Sequence, residues 1–182
     1  MKIKLKNVRL AFPVLFEAKA VNGEGKPAFS ASFLFAPDHG AVKELNAGIE
    51  AVAKEKWGAK AEAILKQLRA TDKTALHDGD LKSQYSGFEG NLYVSARSAN
   101  RPLVIDSNTT PLTAQDGRPY AGCYVNATVE LWAQDSQYGK RINASLGGIQ
   151  FLRDGDAFAG GRAADINDFE DVSEGATADD LI

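Results

Sequence analysis

The 182 residues, 44% hydrophobic and 25% charged, fit one soluble domain with a sizeable core, and no apolar run approaches the roughly 18 residues of a membrane span. Cys123 alone excludes an internal disulfide, fits a reducing compartment and, beside only His39 and His77, argues against a structural zinc cluster. The net charge of -3 hides an asymmetry, because residues 165–182 hold seven acids and no base, leaving 17 acids against 21 bases in residues 1–164. A polyanionic partner is therefore not excluded by the overall sign.

The opening MKIKLKNVRL alternates charged and apolar residues, so it reads as a strand and not as a signal peptide. Ile3 and Leu5 keep one phase, Val8, Leu10 and Phe12 the other, which predicts a bulge near Asn7. Pro13 ends or bends this strand. Val21 to Pro27 is dense in turn formers and predicts a hairpin loop. Over Ala28–Ala36, Phe29, Ala31, Phe33 and Phe35 face one way and Ser30, Ser32 and Leu34 the other, a strand with its Phe stripe toward the core.

Asp38 is the expected cap of a helix whose apolar residues Val42, Leu45, Ile49 and Val52 recur at helical spacing. Gly58 breaks it, with Trp57 as a packing anchor at the junction, and Ala61–Ala70 resumes it. Thr71 to Asn91 is a long polar segment containing Tyr85 and Phe88. Strands return at Leu92–Ala96, with Tyr93, Ser95 and Arg97 on the outward phase, and briefly at Arg101–Ile105. A turn at Gln115–Arg118 precedes the clearest strand, Gly122–Ala133, whose inward phase is Cys123, Val125, Ala127, Val129 and Leu131. The last strand, Arg141–Phe151, changes phase at Gly147-Gly148. Five or six strands with one apolar face and one helical insertion must close over a core. The expected fold is mainly β, a small Greek-key barrel with a helix plugging one end, although periodicity leaves a two-sheet sandwich open.

Signals of catalysis are weak. No phosphate-binding glycine loop joins a strand to a helix, and neither His has the context of a triad. Asp78, Asp80 and Glu89 have carboxylates for a metal, but their glycine-rich polar setting reads as solvated turn acids. No enzyme activity, metal or cofactor is expected. What remains is aromatic and basic residues on outward strand phases and in loops, the two ingredients of sequence-independent single-strand binding. By phase and position the candidate phosphate contacts are Lys4, Arg97, Arg101, Lys140 and Arg141. The candidate stacking rings are Tyr85, Phe88, Tyr93, Tyr120 and Tyr138. Tyr124 and Trp132 share one outward phase but also fit an apolar layer under the helix.

Three segments carry a resemblance: Asn7–Pro13 with Leu15–Ala18, Gly25–Phe33, and Gly139–Leu146 with Gly148–Phe151. In order and spacing they resemble a bacteriophage family of OB-fold single-stranded DNA-binding proteins, once catalogued as a domain of unknown function. The resemblance spans about residues 3–162. It implies an OB-fold, a five-stranded Greek-key barrel, over residues 1–162, followed by a disordered acidic tail over 163–182. The ending Asp179-Asp180-Leu181-Ile182 resembles the acidic tails of bacterial and T7-like phage single-strand binders, except that those usually finish with Phe. These likenesses imply a coat for single strands in phage DNA replication or recombination, inside the cytoplasm of the bacterial host. They also imply a tail that competes for the DNA groove and recruits replication or recombination proteins. A strand-annealing mediator and a virion or scaffold protein stay open as rivals, as does homo-oligomerisation.

Overall fold

The computed structural model of the chain describes residues 1–21, 24–158 and 169. Strand β1 (Lys2–Val21) turns its apolar residues inward, and Ile3, Leu5, Val8, Leu10 and Leu15 are all buried. Asn7 takes a φ of 53° and the register against β6 (Tyr124–Ser136) slips between Leu5 and Val8, so the predicted bulge is present. Pro13 does not end the strand. A second irregularity lies just before it, where Phe12 has a φ of 48° and the register against β2 (Glu24–Phe35) shifts between Ala11 and Val14. This bulge turns the Phe12 ring outward, where simple alternation from Val8 and Leu10 predicts it inward.

These bends let one long strand serve two partners, β6 along its first half and β2 along its second. Strand β2 pairs antiparallel with β4 (Leu92–Ser98), and β6 with β7 (Gly139–Arg153). A parallel bridge between Arg97 and Ser145 joins β4 to β7. The order β4-β2-β1-β6-β7 thus closes on itself as a five-stranded Greek-key barrel, the expected OB-fold, and the sandwich is set aside. Two short strands are added, β3 (His77–Asp78) on β4 and β5 (Leu103–Ile105) on β7.

The core follows the predicted phases. Val125, Ala127, Val129 and Leu131 of β6 meet Ile142, Ala144 and Leu146 of β7, all buried. The phase change at Gly147-Gly148 is a bulge: the register slips between Thr128 and Val129. A Cβ at Gly147 would come within 2.8 Å of Thr128 Oγ1.

Between β2 and β3 the chain forms α1 (Gly40–Trp57), a 3-10 turn and α2 (Ala61–Ala70). Leu45, Ile49 and Val52 join the barrel core, and Gly48 allows the close approach, since a Cβ there would meet Leu131 Cδ1 at 2.9 Å. The helix cap is His39 and not the predicted Asp38. Its Nδ1 accepts the Ala41 N–H at 3.0 Å while Nε2 lies 2.9 Å from the Lys6 carbonyl oxygen. One imidazole tautomer therefore caps the helix and ties it to β1, which a carboxylate cannot do. Beyond β7, Tyr120 donates to Asp154 Oδ1 at 2.6 Å and Phe158 N–H bonds the Ala121 carbonyl, fastening residues 154–158 to the barrel. The boundary expected at 162 and the tail calls, Asp179, Asp180, Leu181 and Ile182 among them, lie outside the described residues.

Candidate nucleic-acid interface

The outward phase of β2 and β4 carries Ser30, Ser32, Ser95 and Arg97. Ser32 and Ser95 pair directly across the strands, their Oγ atoms 2.9 Å apart. Such short side chains leave the sheet surface low, while longer residues rise on three sides. The β1–β2 hairpin contributes Lys19 and Lys26. The β6–β7 hairpin contributes Trp132, Gln134, Arg141 and Asn143, and Lys82, Tyr85 and Phe12 form the remaining wall. The result is two hollows of about 610 and 510 Å³ that share Ala28, Ser95 and Arg97, and so form one open groove.

Among the described residues five cations line that groove, Lys19, Lys26, Lys82, Arg97 and Arg141, and no Asp or Glu does. In a chain with 24 acids this segregation focuses positive potential along one path. Arg97 is pre-positioned, with Nη2 donating to the Lys26 carbonyl at 3.1 Å. The β6–β7 wall is braced from behind by Trp57, whose Nε1 donates to Asp135 Oδ2 at 2.9 Å. That hydrogen bond, then the charge of Lys140, holds the Asp135 carboxyl below its usual range.

Three rings in the groove, Phe12, Tyr85 and Trp132, are each 44–49% exposed. Phe12 and Tyr85 meet edge to face at 5.0 Å, and both lean on Phe88, at 5.8 and 6.0 Å. Phe88 in turn rests on Tyr93 at 5.0 Å, and His77 stacks on Tyr93 at 4.9 Å. Ala11, Leu34, Phe88 and Tyr93 make a small second core outside the barrel, with Phe158 against it. Gly79 is needed for that layer to close, because a Cβ there would overlap the Phe88 carbonyl oxygen. Asp78 and Asp80 act as turn acids in it, accepting the N–H groups of Asp80 and Gly90 at 2.9 and 2.8 Å.

Of the residues predicted from sequence, Tyr85, Arg97 and Arg141 are brought together in the groove. Phe88, Tyr93 and Tyr120 are corrected: at most 4% exposed, they have no open face for a base and serve as packing residues. Burial, then the nearby Asp72 charge, pushes the Tyr93 phenol up, and burial with the Asp154 hydrogen bond does the same for Tyr120. Burial likewise pushes the Cys123 thiol up to about 11, leaving it an inert core group. Lys4 lies on another cleft, beside Leu103 and Ile105. Arg101 donates to the Phe16 carbonyl at 3.1 Å, and Lys140 sits 3.6 Å from Asp135, outside the groove. Tyr138 is exposed at the tip of the β6–β7 hairpin and does not line the groove. Sequence reasoning missed Phe12, Lys19, Lys26, Lys82 and Trp132. Trp132 carried a signal in its outward phase, and Lys19 and Lys26 in flanking a hairpin turn.

The family model of the Enterobacter phage Enc34 ssDNA-binding protein matches residues 1–182. Protein p50 of Acyrthosiphon pisum secondary endosymbiont phage 1 is 53% identical over 176 residues, 95% of each chain. Among solved structures, the single-stranded DNA-binding protein from bacteriophage Enc34 in complex with ssDNA has a TM-score of 0.72 and 28% identity, over 86% of this chain and 88% of that one. Its C-terminal truncation has a TM-score of 0.71 at 30% identity over the same shares. The single-stranded DNA-binding protein gp2.5 of bacteriophage T7 shares the fold, with a TM-score of 0.57 at 10% identity over 98% of this chain and 96% of that one.

Proposed function

The chain belongs to the family of the Enterobacter phage Enc34 ssDNA-binding protein, and on that premise we propose that it binds single-stranded DNA without sequence preference along the β2–β4 groove. The observation that carries this reading is the groove itself, where among the described residues five cations, three open rings and no acid line one path. The backbone phosphates run past Lys19, Lys26, Lys82, Arg97 and Arg141, while bases stack on Phe12, Tyr85 and Trp132. Ring faces accept any base, so stacking discriminates little between sequences. A duplex hides its base faces and gains only the phosphate contacts. Binding of this kind uses no cofactor and forms no covalent intermediate.

The role that follows is coating transient single strands during phage DNA replication or recombination in the host cytoplasm. The seven acids of residues 165–182 compete with DNA for the groove, and the same segment recruits replication or recombination proteins.

Fluorescence anisotropy with labelled oligothymidine, duplex DNA and single-stranded RNA over a salt series tests the reading. Five neutralised phosphates predict a log–log slope of about -3.5 on the single strand, with duplex bound far more weakly. Deleting residues 165–182 tightens binding, most at low salt. A slope near zero contradicts the electrostatic path, and unchanged affinity on deletion contradicts the competing tail. An annealing assay with complementary strands separates a passive coat from a mediator.

A further inference from the structure

The β6–β7 hairpin that walls the groove has a second face. By the pleat, Trp132, Gln134, Arg141 and Asn143 project toward the groove, and Asp135 and Lys140, one residue out of phase, project to the other side. There a hollow of about 600 Å³ lies between the hairpin and the helix pair. Its exposed cations are Lys60, Lys73 and Lys140, and among the described residues Asp135 is the one acid that lines it. That acid is already engaged, by Trp57 Nε1 at 2.9 Å and Lys140 Nζ at 3.6 Å. Among the described residues neither Lys60 nor Lys73 is ion-paired. The groove and the hollow meet at one edge of β7. The Lys73 carbonyl accepts the Ile142 N–H at 3.0 Å, which fixes Lys73 beside the point where β7 passes from Lys140 on one face to Arg141 on the other.

We propose that a single strand longer than the groove continues past Arg141 and over Lys73 into this hollow, where its phosphates meet Lys73 and then Lys60. The proposal rests on the groove being the DNA path and extends that path from the barrel onto α2. Continuity with the groove favours a nucleic-acid strand as the occupant, because a polyanion leaving the groove at Arg141 finds unpaired cations on the adjoining surface. The hollow is an extension and not a rival site. It offers one half-buried ring, Trp57, and includes an acid, against three open rings and, among the described residues, no acid in the groove. A short strand therefore stays in the groove, and only a longer one gains the second hollow. The helical insertion thereby lengthens the footprint besides plugging the barrel.

The chain's two tryptophans divide between the two hollows, Trp132 in the groove and Trp57 in the extension. In the full-length chain, Trp132→Phe keeps a ring in the groove and leaves Trp57 as the fluorescent reporter, and Trp57→Phe leaves Trp132. Each variant is titrated with excess oligothymidine of about 6 and of about 12 nucleotides, both within the site sizes of one OB-fold. The expected result is that both lengths quench Trp132 and only the longer one quenches Trp57. The log–log salt slope of the longer strand is steeper by about 1.4, for two further lysines. Lys60→Gln with Lys73→Gln, changes at exposed sites, returns that slope to the short strand's value and abolishes the Trp57 response. Trp57 emission unmoved by the longer strand, or a Trp57 response that survives the lysine changes, overturns the extension and leaves the groove standing. No response of Trp132 to either length removes the groove reading and the extension with it, so the two failures are told apart.

Discussion

Two outer surfaces of the same barrel carry lysine and arginine, and only one of them has the form of a nucleic-acid path. On the β2–β4 side, serines keep the sheet low, two hairpins raise cations around it, and exposed rings stand beside them with no acid among the described residues lining the groove. On the β1–β6 side, Lys2, Lys4 and Lys6 are as exposed as any groove cation. Yet Lys2 pairs with Glu130 in register, and Lys4 and Lys6 border a small apolar cleft without aromatic side chains. Positive charge alone therefore does not locate the interface. The combination of a low floor, flanking hairpins, open rings and excluded carboxylates does.

The largest effect belongs to the layer beneath the rings. Phe88 is fully buried in the outer cluster, so Phe88→Ala costs about 3–5 kcal/mol of stability. It also loosens Phe12 and Tyr85 and weakens single-strand binding, which chemical denaturation and anisotropy read separately. A loss of stability with DNA affinity intact would show that the outer layer does not support the site.

Next comes stacking. Trp132→Ala lowers single-strand affinity by about 1–3 kcal/mol, or roughly 5- to 150-fold. Tyr120→Phe leaves affinity unchanged and costs about 1 kcal/mol of stability through the lost Asp154 hydrogen bond. Equal effects of the two on affinity would erase the distinction between open and buried rings.

The smallest effect is one of pH, away from the groove. Hydrogen bonds from Arg118, then from the Ser107 N–H, hold the Asp106 carboxyl below its ordinary value. Its folded value is depressed, so its contribution to stability is present above the unfolded value and is lost as pH falls through the folded one. Asp106→Asn accordingly lowers Tm slightly at neutral pH, and the difference closes on acidification.

Strand phases, the helix pair and the bulges at Asn7 and Gly147-Gly148 were legible because period-2 and period-3.6 patterns record which face is buried. Asn7 and Gly147-Gly148 each announced themselves as a phase change between apolar residues. Phe12 did not, because it continued the apparent alternation while its backbone turned left-handed. Phe88 and Tyr93 were misread for a related reason. Tyr93 lies on the solvent phase of the barrel, and residues 79–91, Phe88 among them, cover that phase with a second layer that no local pattern encodes. Lys19, Lys26 and Lys82 are far apart in sequence and meet Arg97 and Arg141 only once the barrel closes. The helix cap depended on a long-range contact, His39 to Lys6, that capping preferences do not include.

The most direct test of the account is a matched pair of charge reversals on the two surfaces, read by anisotropy on labelled oligothymidine at one moderate salt concentration. Arg97→Glu with Arg141→Glu should weaken single-strand binding by about 100-fold or more, ~2.7 kcal/mol. Lys4→Glu with Lys6→Glu, the same change in net charge on the other surface, should leave it within about threefold. Equal losses from the two pairs would contradict the account, because binding would then follow net charge and not the groove.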